Sequence, residues 1–439
     1  MSARTLAIEV LARVAATDAY LNVVLDTALS EAPPTDARDA GLATELVYGT
    51  TRRQLTLDHA IAPFSTRKLE TLEDKVLAAL RIGAYQLFYL RTPVHAAVGD
   101  TVQALKDVGL TRASGFVNAI LRKLSKLEAI PLPPPEDAVA HLSIRESHPA
   151  WLVRRWLAAY GREQTEAILV ANNSPAPLTL RVNRSRIERA EMLTRFGDAG
   201  LQAHPTRHSS VGIVIPQPGR VQDLDGYDEG LWQVQDEAAQ LVGLYAAFPR
   251  EARIYDACAA PGGKACHLAE RNEVVAADLH ANKLRKIKAE ALRLGVDARI
   301  TLLAHDATQP LPASAGRFDA ALVDAPCSGL GTLRRHPELR YRRQEEDIAR
   351  LAALQERIFN RAAEAIPPGG LLVWSVCTTE PEEGIQQVKA FLKSHPGWSA
   401  EPPAPTAGLS FPSTESWLRT LPGPEGFDGF FAARLRRLY

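Results

Sequence analysis

The chain of 439 residues carries 51 basic and 51 acidic side chains, with an apolar share of 46% and a charged share of 23%. Its length allows two or three domains, its balanced charge carries no global signature of a nucleic-acid binder, and no apolar run approaches the roughly 18–20 residues that span a bilayer. Four cysteines, at 258, 266, 327 and 377, form no CxxC pair and no His/Cys cluster, which argues against a disulfide framework and against structural zinc. With an N-terminal stretch whose apolar positions are interrupted by charge, these features point to a cytoplasmic protein with reduced thiols.

Residues 1–132 read as helical. Apolar positions recur at helical spacing in LAIEVLARVAATDAYLNVVLDTAL and in KVLAALRIGAYQLFYL, where Val76, Leu80 and Leu87 share a stripe beside Leu77, Ala84 and Phe88. TVQALKDVGLTRASGFVNAILRKLSKL predicts a helical hairpin turning near Gly109 to Ser114. The three consecutive prolines of IPLPPPED cannot continue a helix, and residues 133–144 are expected to be a stiff linker. Residues 145–235 predict a small α+β module. Its helices are PAWLVRRWLAAYG and RAEMLTRFGDAG, with Gly161 and Gly197 or Gly200 as stops, and its strands are PLTLRVNRS and SVGIVIPQP. From residue 236 to 439 strands alternate with helices, which predicts a mostly parallel, doubly wound α/β sheet of Rossmann-like type. Such sheets bind ligands beyond the carboxyl ends of their strands.

The first of these strands delivers Asp256-Ala-Cys-Ala-Ala-Pro-Gly-Gly-Lys264, and its glycines let backbone approach a ligand. Neither the dinucleotide fingerprint nor the phosphate-loop spacing is present, so NAD and nucleoside triphosphates are disfavoured. Asp278 closes the second strand, where a carboxylate can accept bonds from ribose hydroxyls. Asp306 follows the third, where one can receive an adenine amino group. Cys258, Ala259, Ala260, Pro261, Gly262, Gly263, Lys264, Asp278, Asp306 and Asp324 are therefore the candidate binding residues for a nucleoside cofactor with little or no phosphate, a description that S-adenosylmethionine fits.

Two further strands end in thiols, at Asp324-Ala-Pro-Cys327-Ser-Gly and Ser375-Val-Cys377-Thr-Thr. Where methyltransferases of exocyclic amines carry Asn/Asp-Pro-Pro-Tyr/Phe, this chain has Asp-Ala-Pro-Cys. Pyrimidine C5 takes a methyl group only after a thiolate has added to C6 and made C5 an enamine carbon. That chemistry needs a nucleophile, a group that assists release and an acid near N3, and Cys327, Cys377 and Asp324 can supply them. The chemistry alone does not distinguish the two cysteines.

DACAAPGGK, AADLH, LVDAPCSGLGTLRRHPELRYRR, WSVCTTEPEE and PEGFDGFFAARL together resemble the motif series of the RNA cytosine-C5 methyltransferases, the Nol1/Nop2/Sun family, over most of residues 230–439. RDAGLATELVYGTTRRQ and HAAVGDTVQALK with GFVNAILRKL are similar to the RNA-binding NusB domain. The resemblance implies Cys377 as nucleophile, Cys327 as the residue assisting release, S-adenosylmethionine as cofactor and, through the NusB-like domain, 16S ribosomal RNA as partner. Where the family commonly has Thr-Cys-Ser, this chain has Val376-Cys377-Thr378. A tRNA or large-subunit RNA target, and a non-catalytic RNA-binding or antitermination factor, are the alternative readings. Arg334, Arg335, Arg340, Arg342 and Arg343 are candidate RNA contacts, because guanidinium groups pair with phosphates and stack on bases. Arg181, Arg184, Arg186 and Arg189 in the middle module, and Lys283, Arg285, Lys286 and Lys288, are further basic groups of the same kind. The whole describes a metal-free, non-membrane enzyme, expected to be a monomer.

Overall fold

The computed structural model describes residues 1–32, 36–216, 220–403, 416–424 and 426–439. The chain forms two compact units, one of residues Met1–Pro175 with Leu333–Arg343, the other of Ala176–Thr332 with Gln344–Tyr439.

The first unit is helical. The expected helices span Ala3–Ala16, Leu21–Glu31, Ala37–Arg52, Gln54–Ile61 and Asp74–Tyr89, and the hairpin forms as Val94–Asp107 and Ser114–Leu124. Ser2 caps the first of them by accepting from Thr5 N. Leu6, Leu46, Leu57, Leu80, Ile82, Leu105 and Leu121 meet in one core. Gly49 permits the closest approach in it, since a Cβ there would lie 2.1 Å from the Tyr85 ring.

The boundaries differ from the sequence expectation. Helix Ala138–Glu146, most of it within the stretch expected as a linker, and helix Ala150–Asn172, expected in the middle module and broken at Gly161 (φ 72°), fall in the first unit. Their polar groups explain it: Leu55 N donates to Ser147 Oγ (2.9 Å), and Arg53 Nη1 to Arg145 O and Glu146 Oε2 (both 3.1 Å). The proline-rich segment is tied to the same unit, because His59 Nε2 donates to Pro131 O (2.9 Å) and His141 Nδ1 to Pro133 O (2.7 Å).

The Leu333–Arg343 segment completes this unit. Glu338 Oε1 accepts from Leu21 N (3.0 Å), an otherwise orphaned first-turn amide. Arg340 is fully buried, and its guanidinium donates to Ser147 O (3.2 Å), Asn172 O (3.2 Å) and Asn173 Oδ1 (2.8 Å). Arg342 donates to Val14 O, Asp18 O, Thr17 O and Ala19 O (2.9–3.0 Å) at the end of the first helix.

The second unit holds two sheets. Strands β1 (Leu178–Val182), β2 (His204–Pro205), β3 (Gly212–Ile215) and β4 (Trp232–Val234) pair antiparallel in the order β2-β3-β1-β4, with helix Arg189–Asp198 beside them and Gly200 (φ 74°) just beyond its end. Residues 217 and 218 of the expected SVGIVIPQP strand lie outside the described residues. The large sheet contains β5 (Arg253–Asp256), β6 (Glu273–Asp278), β7 (Ile300–Ala304), β8 (Ala320–Asp324), β9 (Leu371–Val376), β10 (Trp398–Ala400), β11 (Leu418–Thr420) and β12 (Phe430–Arg437). Its order is β10-β12-β9-β8-β5-β6-β7, with β11 paired to β12. β9, β8, β5, β6 and β7 are mutually parallel. Alternate residues feed two cores, Ile254, Leu322 and Val373 on one face and Tyr255, Val323 and Trp374 on the other, as expected for strands buried on both sides. Arg181 of β1 is fully buried, paired with Glu270 and Gln233 Oε1 (2.9 Å), and Asn183 Nδ2 donates to Leu294 O (2.9 Å).

Arg340→Ala removes the guanidinium that serves Arg52 O, Ser147 O, Asn172 O and Asn173 Oδ1, of which Ser147 O keeps the Tyr341 hydroxyl as a donor. It is expected to lower the unfolding free energy by about 3 kcal/mol, with Arg340→Lys recovering only part of the loss because an ammonium cannot fan out to the same acceptors. Urea unfolding of the full chain checks it.

Candidate active site

The order of the parallel strands reverses between β8 and β5, and the candidate residues lie at the carboxyl ends around that point. Asp256, Asp278 and Asp324 are the last residues of β5, β6 and β8, and Asp306 stands two residues past β7. Asp324 is held from both sides: Lys264 Nζ lies 2.7 Å from Oδ2, and Ser375 Oγ donates to Oδ1 (3.1 Å). Burial works to lower the Lys264 pKa, but the charge of Asp324 and the hydrogen bond to it outweigh burial and raise it.

Asp278 and Asp306 each use one oxygen locally. Asp278 Oδ1 accepts from His280 N (2.9 Å), and Asp306 Oδ1 from Thr308 N (2.9 Å) and Thr308 Oγ1 (2.7 Å). These bonds hold the Asp306 pKa below the usual carboxylate value. The Oδ2 of each takes no hydrogen bond among the described residues. Between them the Cys258–Lys264 loop is fixed by Ala259 N donating to Ala277 O (2.8 Å) and Gly262 N to Ala259 O (2.7 Å). Gly262 needs to be glycine, because its φ is 108° and a Cβ would lie 3.2 Å from Ile287.

Asp256 is fully buried and neither of its oxygens has a hydrogen-bond partner among the described residues. Burial and then the negative charge of Asp324 push its pKa up to about 8. Cys258 is also pushed up by burial, and Cys266, packed beneath the loop, to about 12.

The two thiols meet. Cys327 follows β8 by three residues, Cys377 follows β9 directly, and their sulfurs lie 3.3 Å apart, both partly accessible. The register of the two strands, Asp324 opposite Ser375, brings them together. The neighbouring Cys377 sulfur and burial raise the Cys327 pKa well above that of an ordinary thiol, and either sulfur can be the donor in the contact between them. Gly331 N donates to Cys377 O (3.1 Å).

Sequence reasoning gave no role to the residues behind the thiols. Glu383 is fully buried and accepts from Ser328 N (2.8 Å), Ser328 Oγ (2.5 Å), Gln355 Nε2 (2.9 Å) and Thr378 Oγ1 (3.1 Å). The signal available was an acidic residue six positions past Cys377 in a segment otherwise leading into an apolar helix.

The arginine cluster requires a correction. Arg340 has no guanidinium face to offer a phosphate, because it is buried among carbonyls of the helical unit. Arg342 is committed to the carbonyls at the end of Ala3–Ala16, and Arg334 donates to Pro175 O (2.8 and 3.1 Å). Helix ends demand donors for carbonyls that lack an intrahelical partner, and that demand claims these side chains. Arg335 and Arg343 are half-buried. Arg181 is buried in its ion pair, Arg189 donates to Ser209 O (2.8 Å) and Arg186 to Glu229 O. Lys283, Arg285, Lys286 and Lys288 are exposed on helix Ala281–Leu294. Among the described residues no three His, Cys, Asp or Glu side chains cluster to hold a metal ion, and no helix is long and apolar enough to cross a membrane.

The family model for 16S rRNA methyltransferase RsmB/F matches residues 246–436, that of the NusB family residues 1–126, and a ferredoxin-like domain of RsmF/B-like methyltransferases residues 148–222. The chain is 38% identical to the ribosomal RNA small subunit methyltransferase B of Pseudomonas syringae pv. tomato over 100% of this chain and 97% of that protein. It is 36% identical to that of Vibrio cholerae serotype O1 over 97% of each. Its fold is that of the crystal structure of PH0851, with a TM-score of 0.86 at 22% identity, covering 100% of this chain and 99% of the other. NSun6 from Pyrococcus horikoshii, solved with SFG, matches 67% of this chain and 99% of its own at 21% identity and a TM-score of 0.58.

One titration tests the carboxyl edge. Between about pH 4 and 8 the folded chain keeps the Asp256 proton that the unfolded chain has lost, so this group's contribution to stability falls as pH rises through that window. The melting temperature of wild type relative to Asp256→Asn is therefore expected to decline from pH 5 to pH 8 and level off above. A difference independent of pH, measured by scanning calorimetry, would mean the carboxyl is ionised throughout.

Proposed function

Because this chain belongs to the ribosomal RNA small subunit methyltransferase B family, an S-adenosylmethionine-dependent RNA cytosine methyltransferase family, we propose that it methylates C5 of a specific cytosine of 16S rRNA through a covalent adduct with Cys377. The single observation carrying this reading is the pair of sulfurs 3.3 Å apart beside Asp324. An enzyme that grips an exocyclic amine has no use for two adjacent thiols, whereas addition to a ring carbon and its reversal have a use for both.

The carboxyl edge fits the cofactor. Asp278 and Asp306 keep acceptor oxygens for hydroxyl and amino groups, Asp324 brings negative charge towards a sulfonium, and the loop Cys258–Lys264 presents backbone rather than a phosphate cradle. When bound there, S-adenosylmethionine supplies an electrophilic methyl group.

The chain's own residues do the rest. The Cys377 thiolate forms a C–S bond at C6 of the cytosine while N3 takes a proton from the Lys264–Asp324 pair, the carboxylate relaying one from the ammonium bonded to it. C5 then carries the electron pair that accepts the methyl group. On release the C5 proton passes to water, its electron pair restores the C5–C6 double bond, the C6–S bond breaks and N3 returns its proton to the Lys264–Asp324 pair. Cys327, protonated and within hydrogen-bond reach of the departing sulfur, stabilises the Cys377 thiolate as it leaves. The target base has to be unpaired or extruded for both sulfurs to reach one ring. Phosphate contacts are proposed at Arg335, Arg343 and the exposed basic face of Ala281–Leu294.

Incubation with S-adenosylmethionine and unmodified 16S fragments, followed by denaturing gels, tests the assignment. Cys327→Ala is expected to accumulate a protein–RNA adduct and to lose roughly 10²-fold in turnover, and Cys377→Ala to form no adduct and transfer no methyl group. An adduct confined to Cys377→Ala would reverse the two roles. Faster methylation of tRNA or large-subunit fragments would move the target away from 16S rRNA.

A further inference from the structure

Glu383 sets a carboxyl in a place where charge is costly. It is fully buried, and burial pushes its carboxyl above the usual range. The cost is offset only because four donors converge on it. Two come from Ser328, one from Thr378 and one from Gln355, whose amide also donates to Pro326 O (3.0 Å). Ser328 is bonded in sequence to Cys327, and Thr378 to Cys377. The two hydroxyls also contact each other, Oγ to Oγ1 at 2.8 Å. The carboxylate is thus the common anchor of two loops that leave different strands and are fifty positions apart in sequence.

We propose that Glu383 is the positioning residue of this active site, clamping the Cys327 and Cys377 loops together through Ser328 and Thr378 so that both sulfurs present to one pyrimidine ring. The inference rests on the two-thiol reading above. Its physical basis is that displacing a reacting group by about 1 Å can cost roughly 10²-fold in rate while leaving binding intact. The clamp touches neither the carboxylates of the cofactor edge nor the basic helix face, so its loss should appear in the chemical steps.

Four variants separate this from a general packing role. Glu383→Ala is expected to lower kcat at least tenfold, with KM for a 16S fragment and Kd for S-adenosylhomocysteine both within twofold of wild type. Glu383→Gln is expected to restore kcat to within about threefold, since its amide oxygen can accept from Ser328 N and Gln355 while its NH2 donates to the two hydroxyls. Thr378→Val removes the Cys377-side bond to Glu383 and the hydroxyl contact with Ser328 while keeping both Ser328 bonds to Glu383, and should slow adduct formation with RNA carrying 5-fluorocytosine at the target. Ser328→Ala removes the Ser328 hydroxyl from Glu383 and Thr378 while keeping the Thr378 bond to Glu383, and should leave that adduct forming at the wild-type rate while slowing release from natural RNA. Wild-type adduct formation and turnover in both single-tether variants would overturn the proposal, including the case in which Glu383→Ala does not fold. Equal losses of kcat, RNA affinity and S-adenosylhomocysteine affinity in all four would also overturn it. Cys377→Ala is run alongside: an adduct formed without Cys377 defeats the underlying reading, whereas tether variants that behave as wild type defeat only the clamp.

Discussion

Everything at the site depends on the register between β8 and β9. Parallel pairing sets Asp324 opposite Ser375 and Val323 opposite Trp374, so the residues that follow each strand leave the sheet at one level. A slip of a single residue would turn Asp324 into the core and send Leu322 and Val373 to the wrong faces, because side chains alternate along a strand. The register is enforced by what lies below it, two cores filled from alternate positions. The chemistry inherits its spacing from that packing.

The same edge concentrates negative charge. Asp256, Asp278 and Asp324 end three strands, two of them adjacent to β5, and Lys264 is the basic side chain bonded into the set. The fold tolerates this by dividing the load. Asp324 is ionically paired, Asp278 serves a turn, and Asp256, without any partner among the described residues, has its carboxyl shifted towards the neutral form. A cationic ligand would relieve what remains, so affinity for a sulfonium and tolerance of the carboxylates have one origin.

The α/β alternation of the second unit, the helical character of the first and the strand-end placement of Asp278, Asp324, Cys327 and Cys377 were legible in the sequence, because hydrophobic period and strand length are local properties. Three things were not. The membership of Ala138–Glu146 and Ala150–Asn172 in the first unit depends on bonds from Arg53, Leu55 and Thr56, which no local pattern encodes. The fate of Arg340 and Arg342 turned on which carbonyls lacked donors, and that is settled only once helices have ends in space. Glu383 reads as one more acidic residue in a charged segment, and its burial arises from loops that close over it from β8 and β9.

The Leu333–Arg343 excursion has a consequence for modularity. A segment that lies in sequence between two stretches of the second unit supplies the amide cap acceptor for Leu21 and the guanidinium that satisfies Ser147 and Asn172, all of them inside the first unit. A chain cut at Pro175 would expose bare carbonyls on one fragment and a stranded, partly apolar, cationic loop on the other. The two units are consecutive neither in sequence nor in folding logic. A recombination event that exchanged the N-terminal region alone would have to bring its own version of this loop, inserted downstream of Cys327, to yield a folded protein.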